Sequence, residues 1–138
     1  MELNEAKIPT MYFIGVSTGQ SSSKNIFPKW VETLQISPAR LIGIDLKIHD
    51  KPENYQKVIH FIKNDPLSLG ALVTTHKMDL MRACQDEFDE IDPLAFELGE
   101  VSSLYKRGGK LFARATDPEC GGMALENFLP PNYFSKFD

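Results

Sequence analysis

YFIGVSTGQSSSKNIFPKWVETLQISPARLIGIDLKIHDKPENYQKVIHFIKNDPLSLGALVTTHK, residues 12–77, is the stretch whose reading decides the fold. Tyr12 to Val16 is a short apolar run that ends in Ser17-Thr18-Gly19-Gln20-Ser21-Ser22-Ser23, a hydroxyl-rich loop, and so reads as strand then loop. From Lys24 onward, Phe27, Trp30, Val31 and Leu34 fall at i, i+3, i+4 and i+7, the spacing of an amphipathic helix. Pro28 is tolerable there only in the first turn, because it lacks an N–H. Ser37-Pro38 breaks that helix, and Arg40 to Ile48 reads as a second strand, with Leu41, Ile42, Ile44, Leu46 and Ile48 suited to a buried sheet. Asp50-Lys51-Pro52 turns the chain. Tyr55, Val58, Ile59 and Ile62 repeat the helical spacing up to Asn64-Asp65-Pro66, and Gly70 to Thr75 follows as a third strand. Alternating strand and helix predicts right-handed crossovers and a mostly parallel sheet with helices on both faces, a three-layer α/β/α arrangement.

Outside that stretch, Lys77 to Cys84 reads as a helix, and Asp92-Pro93 opens a short one that Gly99 closes. Val101 to Lys106 and Lys110 to Thr116 flank Arg107-Gly108-Gly109 and read as an antiparallel hairpin added to the sheet. Asp117-Pro118 starts the last helix and Pro130-Pro131 stops it. A chain of 138 residues with 42% apolar and 25% charged residues has the size and composition of one globular domain, with no room for a second.

Charge and composition exclude several functions. The net charge of -4 includes no basic stretch to neutralise a phosphate backbone, which argues against nucleic-acid binding. The first ten residues carry Glu2, Glu5 and Lys7 instead of a basic segment followed by an apolar run, so no targeting signal is expected. Apolar runs such as Leu41-Ile42-Gly43-Ile44 are far too short for a membrane span, and the expected location is the cytoplasm. Cys84 and Cys120 form no CxxC, and His49, His60 and His76 show no zinc spacing alongside them, so neither a disulfide framework nor a metal site is expected. With no GxGxxG and no Walker loop, no nucleotide or cofactor-binding site is encoded in these residues.

In an open parallel sheet, ligands bind beyond the carboxyl ends of the strands, where successive loops converge. That rule selects the loops at 17–23, 74–77 and 115–117. Ser21 and Ser23 stand two apart before a helix start, where hydroxyls and free N–H groups suit a carboxylate. On spacing alone, one serine capping the helix is the stronger reading. Lys77 follows Thr74, Thr75 and His76 at the end of an apolar strand, within reach of the crevice as a proton donor or acceptor, but on the residues alone an ordinary solvated lysine in the first turn of a helix is the stronger reading. Asp117 before Pro118 is a normal N-cap. Its functional reading, a carboxylate that orients Lys77, requires the two loops to be adjacent in space. Cys84, beside Leu80 and Met81, reads as core, and Cys120 has no partner that would make it a thiol nucleophile.

Taken in order, these loops resemble the substrate-binding N-terminal domain of shikimate dehydrogenases. The family's Gly-x-Ser-x-Ser type loop is similar to Gly15 through Gly19-Gln20-Ser21-Ser22-Ser23. Its Asn-Val-Thr-x-Pro-x-Lys segment resembles Leu72-Val73-Thr74-Thr75-His76-Lys77, and its Gly-Ala-Val-Asn-Thr resembles Gly99-Glu100-Val101-Ser102-Ser103. Its Gly-Lys-Leu, followed by Asn-Thr-Asp and a Gly, resembles Gly109-Lys110-Leu111, Ala115-Thr116-Asp117 and Gly121. The ordered set, spanning Tyr12 to Leu129, is more specific than any one piece.

This resemblance implies that Ser21 and Ser23 hold a substrate carboxylate, that Thr74 and Ser102 contact the ring, and that Lys77 and Asp117 form the catalytic pair. The implied reaction is reversible reduction of 3-dehydroshikimate to shikimate, a step of aromatic amino-acid biosynthesis. The implied cofactor is NADP, held by a C-terminal dinucleotide-binding domain in cis that these residues do not contain. Residues 1–129 would be the substrate-binding domain and 130–138 the start of an interdomain connection. The departures are specific. Leu72, Ser102 and Ala115 stand where the family has Asn, and the segment before Lys77 lacks the family's Pro and is one residue shorter. A site that loses amide contacts to hydroxyls changes its choice of substrate, which leaves shikimate, quinate or a related hydroxylated cyclic acid as the ligand. The alternative is a non-catalytic domain that binds such a small molecule for regulation.

Overall fold

The computed structural model describes residues 3–36, 38–133 and 135. Ser37 of the expected Ser37-Pro38 break lies outside them, as do residues 134 and 136–138 of the expected connection. Among the described residues, five helices and six strands follow in the order β1 (Thr10–Gly15), α1 (Ser23–Thr33), β2 (Arg40–Asp45), α2 (Pro52–Asn64), β3 (Ser68–Val73), α3 (Lys77–Cys84), β4 (Glu90–Ile91), α4 (Pro93–Leu98), β5 (Ser103–Arg107), β6 (Lys110–Arg114) and α5 (Asp117–Glu126). A short 3-10 turn at Thr18–Gln20 precedes α1, and another at Gln85–Glu87 follows α3.

The strands form one mixed sheet in the order β2-β1-β3-β5-β6-β4. Parallel pairing joins β1 to β2 and to β3, and antiparallel pairing joins β3 to β5 and β5 to β6. From β1 the chain moves to β2 on one side, then returns past β1 to β3 on the other. Right-handed crossovers therefore place α1 and α2 on opposite faces. The α2 face holds the core: Tyr12, Ile14, Ala71, Val73, Leu104 and Ala113 from the strands pack with Tyr55, Val58, Ile59 and Ile62 of α2 and with Leu80, Met81 and Cys84 of α3. Burial pushes the Cys84 thiol up to about 12, so it is an inert part of that core.

Several sequence expectations need adjustment. Pro28 lies at the sixth position of α1, inside the helix instead of in its first turn. The predicted apolar face of α1 is only partly used: Val31 is buried, whereas Trp30 is 56% exposed and Leu34 is also exposed. The second strand stops at Asp45, three residues short of Ile48, because the chain leaves the sheet once β1 ends at Gly15, its partner in register. The third strand starts at Ser68 and ends at Val73, so Thr74 and Thr75 belong to the loop beyond its carboxyl end. Val101 and Ser102 precede β5 instead of opening it. The two-residue strand β4 was not expected; it pairs parallel to β6, Glu90 opposite Phe112 and Ile91 opposite Ala113. The short helix behaves as read, with Pro93 in its first turn and Gly99 in the left-handed conformation at φ 65° as its C-cap.

No helix among the described residues is long and apolar enough to cross a membrane. Among the same residues, no group of three His, Cys, Asp or Glu gathers as a metal site.

Candidate functional site

The strand order reverses around β1, so the loops leaving the carboxyl ends of β1 and β3 separate and open a crevice between them, the position where open α/β sheets take ligands. Ser21 and Ser23 come from one of these loops, and Thr74 and Lys77 from the other.

The β1 loop is shaped by β2. Gly43 and Asp45 project from the same face of that strand, two residues apart. The N–H of Thr18 donates to Asp45 Oδ1 at 2.8 Å, and the Thr18 side chain fills the space over Gly43. Hydrogen bonds from the Thr18 hydroxyl and N–H hold the Asp45 carboxyl below the usual carboxylate range. The 3-10 turn that begins at Thr18 delivers Ser21, whose Oγ lies 3.1 Å from Ser23 Oγ and accepts the Ser23 N–H at 3.2 Å. Ser22, the N-cap of α1, makes no side-chain capping bond. Ser21 and Ser23 are thus a hydroxyl pair at the start of α1, both half-buried. The helix dipole there favours an anion.

The β3 loop is fixed at both ends. Thr74 N–H donates to Ile14 O at 3.0 Å, and Lys77 N–H donates to Thr74 O at 3.2 Å. Between them His76, 1% exposed, bridges elements: its Nδ1 lies 3.1 Å from the Tyr55 hydroxyl and its Nε2 3.2 Å from Gly15 O. The carbonyl of Gly15 can only accept, so the hydrogen-bond network assigns the proton to Nε2 and leaves Nδ1 to accept from Tyr55.

At the head of α3, Lys77 forms an ion pair with Asp117, 40 residues away in sequence at the head of α5. The lysine side chain is 24% exposed and the aspartate 55%. The adjacency that the functional reading of Asp117 requires is therefore present. Lys77 lines a depression of about 530 Å³ with Thr74, Thr75, His49 and Glu100. A second depression, of about 310 Å³, is lined by Ser21, Thr18, Phe13, Thr74 and Thr75. Thr74 and Thr75 border both, so Ser21 and Lys77 line neighbouring depressions on either side of a wall of two threonines, whereas Ser23 and Asp117 line neither.

Ser102 lies deeper. It is 1% exposed; its Oγ accepts the N–H of Thr116 at 2.8 Å and lies 3.1 Å from Thr116 Oγ1. The hydroxyl that the family resemblance assigns to the ring is hydrogen-bonded inside the protein. Of the residues at the other departures, Ala115 is buried and Leu72 exposed. The parts that sequence reasoning missed are those that support the site: Thr18, Gly43, Asp45, Thr116 and His76 in its bridging role. Only the strand-end rule, applied to β2 as well as to β1 and β3, would have drawn attention to Asp45.

Comparison with known proteins bears on the fold. No family model matches the sequence, and no curated protein matches it. Solved structures do match. A shikimate dehydrogenase in complex with NADP+ is 27% identical with a TM-score of 0.71, over 91% of this chain and 40% of that one. Shikimate 5-dehydrogenase from Thermus thermophilus, in complex with shikimate, is 20% identical with a TM-score of 0.67, over 89% of this chain and 44% of that one. A ligand-free 5-ketofructose reductase from a Gluconobacter species is 19% identical with a TM-score of 0.71, over 91% of this chain and 42% of that one. The chain therefore spans about two fifths of the length of these neighbours. The chain has the fold of the N-terminal domain of the shikimate dehydrogenases.

Proposed function

We propose that this chain is the substrate-binding and catalytic-residue domain of a shikimate-dehydrogenase-like oxidoreductase. The reaction is reversible reduction of 3-dehydroshikimate, or a related cyclic keto acid, to the alcohol. The observation that carries the reading is the Lys77–Asp117 ion pair, with Ser21 of the hydroxyl pair lining the depression on the other side of Thr74 and Thr75 from Lys77. A carboxylate and a reacting carbonyl on one small ring need an anion-binding group and a proton donor near each other, and Ser21 and Lys77 on either side of Thr74 and Thr75 support that reading.

In this reading the Ser21 and Ser23 hydroxyls donate to the substrate carboxylate, supported by the dipole of α1. Thr74 donates to or accepts from a ring hydroxyl. The Lys77 ammonium gives its proton to the carbonyl oxygen in the reducing direction and, as the amine, takes it back in the other. Asp117 orients the ammonium and accepts a hydrogen bond from the substrate.

The loop after β1 carries hydroxyls and an aspartate-bound threonine where a phosphate-cradling turn needs glycines. NADP, which would supply the hydride when bound, is assigned to a dinucleotide-binding domain following in cis.

Titration of the isotope-labelled chain with shikimate and quinate, read by NMR, tests the reading without cofactor. Saturable shifts are expected at Ser21, Ser23, Thr74, Lys77 and Asp117. Saturable binding that Lys77→Ala leaves unchanged would favour the non-catalytic binding domain. Shifts dispersed away from these loops would overturn both.

A further inference from the structure

Building on that reading of the crevice, we infer that Ser102 is a positioning residue, which acts through Thr116 to hold Asp117 against Lys77. Asp117 opens α5, and α5 has no buried residue along its length. Packing of the helix cannot therefore fix where its first carboxylate lies. Something at the N-terminal end of α5 must do so, and Thr116, its N-cap, makes no side-chain bond back to its own helix.

Thr116 is instead held from outside. Ser102 Oγ accepts the Thr116 N–H at 2.8 Å and lies 3.1 Å from Thr116 Oγ1, so one hydroxyl meets both the amide and the hydroxyl of the residue before Asp117. Ser102 is itself fixed by its backbone: its N–H donates to Arg114 O at 3.0 Å, and its carbonyl accepts the Val73 N–H at 2.8 Å. The residue before it, Val101, donates its N–H to Lys77 O at 3.2 Å.

Residues 101 and 102 thus touch the backbone of Lys77 on one side and the residue before Asp117 on the other. The ion pair closes this frame. A serine suits the position because its short side chain reaches the Thr116 amide while remaining buried in the protein. With its hydroxyl occupied by Thr116, Ser102 contributes to the crevice through the aspartate and makes no contact with ligand.

Lysine-selective NMR of the 138-residue chain reads the pair directly: the Lys77 ammonium protons exchange slowly with water while a carboxylate holds them, and the Thr116 amide is protected while Ser102 accepts it. Ser102→Ala is expected to speed both exchanges by roughly five- to tenfold, the effect of losing one hydrogen bond. Thr116→Ser, which keeps the hydroxyl, is expected to match the parent chain. Should Ser102→Ala lose its dispersed amide spectrum, Thr116→Val against Thr116→Ser makes the same comparison, with faster Lys77 exchange expected in the valine variant only. A folded Ser102→Ala chain with both exchanges unchanged overturns the inference. So does one that keeps the Lys77 signal but loses its response to shikimate, because Ser102 would then contact the ligand itself. A chain that never responds to shikimate would count against the proposed reaction and leave this readout intact, so the two failures are distinguishable.

Discussion

Thr18 occupies the space where a side chain on Gly43 would begin: a methyl group at Gly43 would lie 2.0 Å from Thr18 Oγ1 and 2.7 Å from its Cβ. The two residues belong to different elements, and their fit sets the height of the serine loop over the end of the sheet.

Gly43→Ala should therefore displace Thr18 from its seat and from Asp45. Overpacking of this kind costs about 1–3 kcal/mol, measurable as a lower urea midpoint with an unchanged slope. Because Thr18 starts the turn that delivers Ser21, shikimate-induced shifts should weaken at Ser21 and Ser23 before they weaken at Lys77. An alanine variant as stable as the parent, with undiminished shifts at both serines, would refute the link between the notch and the loop.

Acid should weaken the same anchor. Thr18 lowers the pKa of Asp45 through its hydroxyl and N–H. Asp50 is lowered by hydrogen bonds from the Asn54 side chain and the Lys51 N–H, and Asp89 by the Leu111 N–H and Lys63. A carboxyl whose folded pKa is depressed adds stability above its unfolded value of 3.8, and that stability is lost as the pH falls through the folded value. Urea midpoints should stay level from neutrality to about pH 5 and fall below the ordinary carboxylate range. Asp45→Asn keeps an oxygen for the Thr18 N–H but cannot titrate, so its acid limb should be shallower. Identical limbs in the two proteins would remove Asp45 from the account.

The sequence makes the architecture legible where a period is long enough to read. Phe27 to Leu34 and Tyr55 to Ile62 mark helices between apolar runs, and that alternation alone implies the crossover topology and the crevice at β1 and β3. Glu90–Ile91 carries no such signal, because two residues at a sheet edge have no period and owe their strand conformation to β6. Pro28 illustrates a local rule giving way: with Trp30 and Ser22 both exposed, the helix starts at Ser23, and the proline falls inside it. Strand-end position picks out the loops that carry Ser21, Ser23, Lys77 and Asp117, while the roles of these residues rest on the family resemblance. The residues alone hide the Lys77–Asp117 pairing, because each has an ordinary role at a helix start and the contact spans 40 residues. The Ser102–Thr116 and Thr18–Asp45 contacts are equally hidden, since they arise only once the strands are in register.

His76 yields the prediction that bears most directly on the segment before Lys77. A fully buried imidazole ties the loop to β1 through Gly15 O and to α2 through the Tyr55 hydroxyl. Tyr55 in turn accepts the Asp50 N–H at 3.1 Å, so its own proton is directed to His76 Nδ1. His76→Ala removes a buried ring and leaves the Tyr55 hydroxyl proton without that acceptor, at an expected cost of about 2–4 kcal/mol in urea unfolding. His76→Phe restores the volume but not the hydrogen bonds, so it should recover part of that loss. Because Lys77 N–H donates to Thr74 O within the tethered loop, amide exchange at Lys77 should accelerate in both variants, and more in alanine. An alanine variant within about 0.5 kcal/mol of the parent, with Lys77 exchange unchanged, would mean that Thr74 and the first turn of α3 hold the loop without the imidazole.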